Sequence, residues 1–205
     1  AALYAAGGSI AAVDAVVKRD VSCAYALVRP PGHHATSNNA MGFCLFNNIA
    51  VAANYALKTY KMERVLIIDF DVHHGNGTQA AFEHNPYVIY ISIHQYPLFP
   101  GTGYLNDTGR GIGGGTAINI PLPAGCGDNE YKRVFDEIVI PATRRFKPEL
   151  IMVSAGYDGH WADDYSMRLT LDGYYDITRI IRQLADELCG GQDLFCLQGG
   201  YNLKV

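Results

Sequence analysis

Residues 64–77 read RVLIIDFDVHHGNG. The first part, Arg64 to Ile68, is a run of aliphatic residues and predicts a strand buried on both faces. The second part places carboxylate and imidazole side chains directly after that strand. In open α/β sheets, ligands bind outside the carboxyl ends of the strands. This segment therefore predicts both a parallel sheet and the edge of that sheet where chemistry occurs.

The rest of the chain repeats this alternation of apolar strands and helices. β-Branched strands separated by helices predict a mostly parallel central sheet that is covered on both faces, and hence a three-layer α/β/α fold. We expect strands at residues 23–28, 64–68, 87–93, 117–120, 150–154 and 194–197. We expect helices at residues 2–18, 47–60, 129–146 (interrupted by Pro141) and 172–188, and a short one that Thr78 caps and that ends near His84.

The composition is that of a globular protein. Hydrophobic residues make up 49% of the chain and charged residues 18%, and the net charge is −4. These values exclude a disordered chain, and the absence of a basic run gives no support for nucleic-acid binding. We interpret residues 1–205 as one domain core. Because the chain starts without Met and ends at Val205 after a Gly-Gly-Tyr-Asn run, we expect it to be truncated at both ends.

The cysteines bear on the compartment. An odd count without a CxxC pair predicts free thiols in a reducing compartment, and neither a disulfide framework nor a Cys-based zinc site. The apolar N-terminal segment has no positive stretch before it and is too short to span a membrane. We expect a cytoplasmic protein, or a nuclear one if the source is eukaryotic, without membrane attachment. The five cysteines are Cys23, Cys44, Cys126, Cys189 and Cys196.

Polar residues follow four of the predicted strands. In a parallel sheet the carboxyl ends of these strands lie at one edge, so we expect the polar residues to meet there. They are His33 and His34, then Asp69, Asp71 and His73, then Asp158, and finally Gly199, Gly200 and Tyr201.

A metal site is the first prediction from this set. Asp69, Asp71 and His73 alternate, so they share one face of an extended segment. Burying two carboxylates side by side is costly unless a cation neutralises them. Asp71, His73 and Asp158 would supply two oxygens and one nitrogen and leave a coordination position open, as in catalytic sites. This set suits zinc and also ferrous iron. The alternative is a structural turn whose carboxylate caps the next helix.

Proton transfer is the second prediction. The adjacent His33 and His34 have an unperturbed pKa of about 6.5, near working pH. Asp69 remains outside the metal set and is available to orient one of them. Tyr201 follows two glycines, and its phenol can donate a hydrogen bond to a developing oxyanion. The alternatives are a surface histidine pair and a structural tyrosine.

Two loops carry apolar rings near the same edge, at residues 41–43 and 96–101. They form either a slot for an aliphatic chain or buried loop anchors. The other histidines lack a comparable context, and we expect structural or surface roles for them. They are His74, His84, His94 and His160.

Six motifs in this order resemble the histone deacetylase and acetylpolyamine amidohydrolase superfamily. The resemblance runs from about Val21 to Asn202, and RPPGHH and GNGTQ resemble class II enzymes and their bacterial relatives more than class I. The motifs are RPPGHHA (29–35), GFCLFNN (42–48), DFDVHHGNGTQ (69–79), FPGTG (99–103), SAGYDGH (154–160) and QGGYN (198–202).

The resemblance implies a zinc-dependent amidohydrolase that removes acetyl groups from acetyl-lysine side chains and that hydroxamates inhibit. It implies zinc bound by Asp71, His73 and Asp158. It implies that His33 and His34 lie beside the attacking water, that Asp69 supports His33, and that Asn76 supports His34 where class I enzymes carry Asp. It implies that Tyr201 polarises the acetyl carbonyl. The substrate-contacting residues that it implies are Gly42, Phe43, Phe99 and Gly200.

The resemblance also implies structural potassium. The implied ligands of a first ion are Asp69, Asp71, His73, Ser92 and Ile93, several of them through backbone carbonyls. Those of a second ion are Phe82, Asn85 and Val88. Family members extend beyond both ends of this chain, and their front part supplies a first strand and an acidic loop that grips the substrate backbone.

Three alternatives remain open. One is a deacylase of acetylpolyamines or other small amides on the same fold. Another is a ureohydrolase of the arginase type, which uses two manganese ions and needs more ligands than this Asp-His cluster offers. The third is a non-catalytic acyl-lysine-binding scaffold or an inactive fragment.

Overall fold

Six parallel strands form one sheet in a computed structural model of the chain, which describes residues 1–204. The order of strands across the sheet is β1-β6-β5-β2-β3-β4. The predicted parallel sheet is therefore confirmed, and every described pairing between strands is parallel. The strands are β1 (Cys23–Ala26), β2 (Val65–Asp69), β3 (Val88–Gln95), β4 (Ala117–Leu122), β5 (Leu150–Ala155) and β6 (Asp193–Leu197).

Helices cover both faces of the sheet and complete the three layers. They are α1 (Ala2–Val17), α2 (Asn48–Thr59), α3 (Asn76–Phe82), α4 (Asp128–Val134), α5 (Ile140–Phe146) and α6 (Leu171–Leu188), with a π-helical turn at Phe135–Val139 and a 3₁₀ turn at Gly111–Gly113.

The residues of β2 alternate between two apolar cores. Leu66 and Ile68 pack with α4, α5 and α6 on one face, while Val65 and Ile67 pack with α1 and α2 on the other. All four side chains are fully buried, and burying each contributes roughly 1.5–3 kcal/mol relative to exposure. A strand buried on both faces is the reason that its sequence is continuously aliphatic.

The predicted capping of α3 by Thr78 is wrong. The helix begins at Asn76, with Gly75 at the N-cap and no side-chain cap. The backbone N–H groups of Gly77 and Thr78 donate to the carbonyl oxygen of His33 at 3.0 and 3.1 Å. A backbone carbonyl from another loop thus takes the place of the expected hydroxyl, and it ties α3 to the histidine pair.

The predicted interruption at Pro141 takes the form of a π-helical turn. The chain stays helical from α4 to α5, and Pro141 lies at the start of α5. Proline has no N–H to give to the preceding turn. The wider turn gives Ile140 N–H a partner in the carbonyl of Phe135, so the helical layer continues past the proline.

The strand ends bring the polar residues together. Asp69 at the end of β2 is in register with Ser92 of β3 and Ser154 of β5. Ala155 is in register with Leu197 of β6. The segments that follow these positions therefore leave the sheet at the same edge.

Two further expectations concern the whole chain. The five cysteines are all free, as predicted. Across residues 1–204, none of the helices combines the length and the hydrophobicity that crossing a bilayer requires.

Candidate active site

Asp71, His73 and Asp158 converge at the carboxyl edge of the sheet. One ligand atom from each lies within 4.8 Å of the others, and all three residues are buried. His73 Nδ1 lies 2.9 Å from Asp71 Oδ1 and 3.2 Å from Asp158 Oδ2. The loop after β2 supplies two of these residues, and the loop after β5 supplies the third.

Backbone amides fix the two carboxylates. Gly199 N–H donates to Asp71 Oδ2 at 2.8 Å, and Val72 N–H donates to Asp158 Oδ1 at 3.0 Å. Asp158 Oδ2 is buried and makes no hydrogen bond within residues 1–204, although His73 Nδ1 lies 3.2 Å away. Burial, followed by the charge of Asp71, raises the pKa of Asp158 to about 7.

The donor set fits a divalent cation. An orphaned carboxylate oxygen lies beside a second buried carboxylate and an imidazole, and a cation there would neutralise the repulsion that raises the pKa of Asp158. Two oxygens and one nitrogen leave room for further ligands. Within residues 1–204 this is the one group of its kind.

His33 and His34 lie side by side at this centre, with ring centroids 4.0 Å apart. His33 Nδ1 donates to Asp69 Oδ2 at 3.1 Å, and its Nε2 lies 3.8 Å from Asp71 Oδ1. His34 Nδ1 donates to Asn76 Oδ1 at 2.9 Å. Both imidazoles therefore present Nε2 as the free nitrogen. Asp69 and Asn76 contact the histidines that the resemblance assigns to them, and their catalytic roles stay predictions.

The two histidines differ in pKa because their surroundings differ. Burial opposes protonation of His33, but the charges of Asp71 and Asp69 outweigh it and raise its pKa. Burial, followed by the positive charge of His33, lowers the pKa of His34 to about 3. The pair therefore consists of a ring that favours the cationic form and a ring that favours the neutral form.

Asp69 has a second partner that the sequence did not reveal. Tyr90 of β3 donates its hydroxyl to Asp69 Oδ2 at 2.9 Å, deep in the core. Gly75 packs against this cluster, and a Cβ at that position would collide with the Tyr90 hydroxyl and Asp69. A tyrosine in an apolar strand predicts packing first, and nothing in the sequence places Tyr90 beside Asp69.

Tyr201 follows the end of β6, with its ring near those of Phe43 and Tyr165. Its ring centroid is 6.3 Å from that of Phe43 and 6.1 Å from that of Tyr165. Burial and the charges of Asp71 and Asp158 raise its pKa. The phenol therefore stays protonated and able to donate. Gly200, before it, has a φ of +126°, a conformation that favours glycine.

Phe99 packs against two of the histidines of the site. Its ring meets His34 edge-on at 5.0 Å and His73 at 6.1 Å. Gly42 contacts the other side of His34, where a Cβ would collide with the imidazole. Phe43 and Phe99 are both exposed at the rim. These rings are therefore not buried loop anchors, and the slot for an aliphatic chain stays a prediction.

Tyr165 is a residue of the candidate site that the sequence did not reveal. Its ring meets His73 edge-on with centroids 4.5 Å apart, and it lies between His73 and Tyr201. Burial, followed by the charges of Asp158 and Asp71, raises its pKa to about 12. It belongs to an irregular loop after Asp158, where no periodicity indicates which side chain turns inward.

The residues that the resemblance implies as potassium ligands lie in two places. One group is near the candidate active site, and the other is at the opposite end of the sheet. Ser92 Oγ contacts His94 Nδ1 at 2.9 Å, and Ile93 is buried in the core. Asn85 N–H donates to the Phe82 carbonyl at 2.8 Å, near the start of β3 at Val88. These contacts do not test potassium binding, which stays a prediction.

The other histidines have the structural surroundings that we expected. His74 contacts Thr102 at 2.8 Å and Gln79 at 2.9 Å, and His94 Nε2 donates to the Gly103 carbonyl at 3.0 Å. Both hold the loop that carries Phe99. His84 is exposed beside Glu83. The ring of His160 accepts a backbone N–H from Ala162.

Gly199 gives a prediction about the metal ligands. A Cβ there would collide with Asp158 Oδ2 and lie 2.7 Å from Asp71 Oδ2. We expect Gly199→Ala to lower zinc affinity by about 10–100-fold, the usual cost of disturbing groups that orient metal ligands. Competitive titration with a chromophoric chelator measures this. Gly7→Ala, at a helical position where nothing lies within 4 Å, is the control; equal affinities in both variants would contradict the prediction.

Comparison with known proteins gives a consistent result. The family model of the histone deacetylase domain matches residues 1–205. Histone deacetylase 14, chloroplastic, from Arabidopsis thaliana is 48% identical over 208 residues, which cover 98% of this chain and 49% of that protein. The histone deacetylase-like amidohydrolase of Pseudomonas aeruginosa is 42% identical over 203 residues, covering 98% and 53%.

A solved structure agrees with the fold. The crystal structure of the HDA15 HD domain superposes with a TM-score of 0.91 at 42% identity, and the match covers 98% of this chain and 56% of that one. The chain spans about half the length of the curated relatives it matches.

Proposed function

The chain belongs to the histone deacetylase family, and from that membership we propose that it is a metal-dependent amidohydrolase that removes acetyl groups from acetyl-lysine side chains of proteins or peptides. One observation carries the proposal: the buried Asp71-His73-Asp158 group lies directly beside the two imidazoles of His33 and His34. That combination joins a candidate cation site to a candidate proton-transfer pair, and we propose that aromatic rings line a slot above them.

Asp71, His73 and Asp158 would hold the cation, with zinc as our first assignment. When bound, such an ion polarises the acyl carbonyl and makes a water acidic enough to attack near neutral pH. Asp69 and Asn76 hold the paired histidines through Nδ1, so that Nε2 of each faces the reaction. We also assign the potassium sites that the sequence resemblance implies, at Asp69, Asp71, His73, Ser92 and Ile93, and at Phe82, Asn85 and Val88.

Proton transfer falls to His34. Its partner is the neutral amide of Asn76, which fixes the ring without stabilising its cationic form as a carboxylate would. Its Nε2 takes the proton of the attacking water and then gives a proton to the leaving lysine nitrogen. His33, between Asp69 and Asp71, keeps its proton and stabilises the developing negative charge.

Tyr201 donates its hydroxyl to the carbonyl oxygen as negative charge grows there. Phe43 and Phe99 exclude water from the aliphatic part of the substrate, and the backbone at Gly42 and Gly200 comes close to the acyl-lysine. Tyr165 narrows the slot between His73 and Tyr201. Such a slot suits an unbranched chain that ends in a small acyl group.

The proposal is tested by comparing substrates. The protein, loaded with zinc, is assayed with an acetyl-lysine peptide and with acetylated polyamines, with and without a hydroxamate. We expect turnover of the peptide, inhibited by the hydroxamate. Preference for the polyamine would move the assignment to a small-amide deacylase, and no turnover of either substrate by zinc- or iron-loaded protein would overturn it.

Tyr201→Phe separates the oxyanion donor from metal binding. Removing one such donor costs about 10²–10³-fold in kcat, so we expect that loss while the bound zinc per chain stays unchanged. Steady-state kinetics and metal analysis measure the two quantities. Tyr175→Phe, on an exposed tyrosine of α6, is the matched control. Near-full turnover in Tyr201→Phe would refute the role.

A further inference from the structure

The loop that follows Asp158 reaches the backbone of Tyr201. Asp163 Oδ2 accepts hydrogen bonds from two consecutive amides, Tyr201 N–H at 2.8 Å and Asn202 N–H at 3.0 Å. Asn202 returns a hydrogen bond through its side-chain amide to the carbonyl of Ala162 at 2.5 Å. Three hydrogen bonds thus join two short segments that are far apart in sequence.

These bonds act beyond the last strand of the sheet. β6 ends at Leu197, and Gly200 intervenes before Tyr201 with a φ of +126°. Within residues 1–204, Asp163 Oδ2 is the acceptor of the Tyr201 and Asn202 amides. Two N–H groups that converge on one carboxylate oxygen form charge-assisted bonds, which are about twice as strong as neutral ones.

The other Asp163 oxygen is also engaged. Asp164 N–H donates to Asp163 Oδ1 at 2.8 Å, so the carboxylate is fixed in its own turn before it meets Tyr201. The same loop carries Tyr165, whose ring packs against that of Tyr201. The loop therefore holds Tyr201 at its backbone through Asp163 and at its ring through Tyr165.

We propose that Asp163 is a positioning residue that sets the place of the Tyr201 hydroxyl over the metal triad. The proposal rests on the function given to Tyr201 above. Asp158 and Asp163 belong to one loop and are five positions apart. This loop therefore connects the third proposed metal ligand to the backbone of the proposed oxyanion donor. A misplacement of about 1 Å in such a group can cost 10²-fold in rate.

Kinetics give the first test. We expect Asp163→Ala to lower kcat for the acetyl-lysine peptide by about 10–100-fold, with KM and bound zinc little changed. Asp163→Asn keeps an acceptor oxygen for the two amides but loses the charge, so we expect a smaller loss. Asp164→Ala is the control, because that neighbouring carboxylate is exposed and makes no side-chain hydrogen bond within residues 1–204.

A double-mutant cycle separates positioning from general damage. If Asp163 acts through the phenol, Asp163→Ala should cost less than about twofold in a Tyr201→Phe background, because interacting residues are not additive. A loss of the full 10–100-fold in that background would overturn the proposal. Equal kcat values for Asp163→Ala and Asp164→Ala would also overturn it.

Hydrogen exchange makes the test independent of activity. We expect Asp163→Ala to speed exchange at the Tyr201 and Asn202 amides, while the Gly199 amide, which is bound to Asp71, keeps its rate. Unchanged exchange at Tyr201 and Asn202 would overturn the proposal even in an active enzyme. Faster exchange in a protein without deacetylase activity would support the role of Asp163 in holding the Tyr201 backbone. It would count against the proposed function instead.

Discussion

Asp158→Asn is expected to abolish zinc retention and deacetylase activity together. The substitution keeps the size of the side chain and the Val72 amide contact at Oδ1, but it replaces one of the two anionic ligands with a neutral amide. A polarising cation supplies several kcal/mol of transition-state stabilisation, so its loss costs about a thousandfold or more in rate. Metal analysis after gel filtration and an acetyl-lysine assay measure the two effects.

The stability of this variant gives an independent check. Without metal, Asp71 and Asp158 repel each other in a buried site, so the substitution should not lower the Tm of the metal-free protein. Zinc should raise the Tm of the parent, because ligands that bind the native state stabilise it, and should barely change that of the variant. Asp176→Asn, in an exposed pair with Arg179, should behave as the parent. Full zinc binding by Asp158→Asn would contradict the ligand assignment.

His34→Ala is expected to lower kcat by about 10²–10⁴-fold, the usual contribution of a positioned acid–base group. Its Nε2 is the nitrogen that we assign to both proton transfers, whereas His33 contributes charge. We therefore expect a smaller loss in His33→Ala. Neither ring is one of the three metal ligands, so zinc content should stay near that of the parent.

Single-turnover kinetics with zinc-loaded protein measure the chemical step directly. His84→Ala removes an exposed imidazole and should leave the rate unchanged. A His34→Ala variant with a smaller loss than His33→Ala would reverse the assignment of the two roles. Loss of zinc from either variant would show that the imidazoles support the metal site rather than the reaction.

Much of the sheet could be predicted because its strands are aliphatic on both faces. The run from Val65 to Ile68 admits few alternatives to a buried strand. The same logic placed Asp71, His73 and Asp158 at one edge, since residues that follow parallel strands must leave the sheet together. Alternation and the position of a residue directly after an aliphatic run are local signals that the sequence carries, whereas the order of the strands across the sheet is not.

The residues that were missed are defined by contacts rather than by pattern. Tyr165 and Asp163 lie in an irregular loop, where nothing local indicates that one faces His73 and the other Tyr201. A tyrosine in an apolar strand, such as Tyr90, indicates core packing. Its hydrogen bond to Asp69 depends on the register of β2 and β3. Thr78 was expected to cap α3 because a hydroxyl is the usual cap, but a carbonyl from the distant His33 does this instead.

The order of strands also decides when the site can form during synthesis. In space the contributing strands are neighbours in the order β1-β6-β5-β2. Of the six described strands, however, β6 is synthesised last, and it must insert between β1 and β5. Asp71, His73 and the histidine pair leave the ribosome well before Asp158 and Tyr201. A nascent chain therefore cannot form the proposed cation site in its final arrangement. Metal binding at that site would be a late event that follows the long-range closure of the sheet.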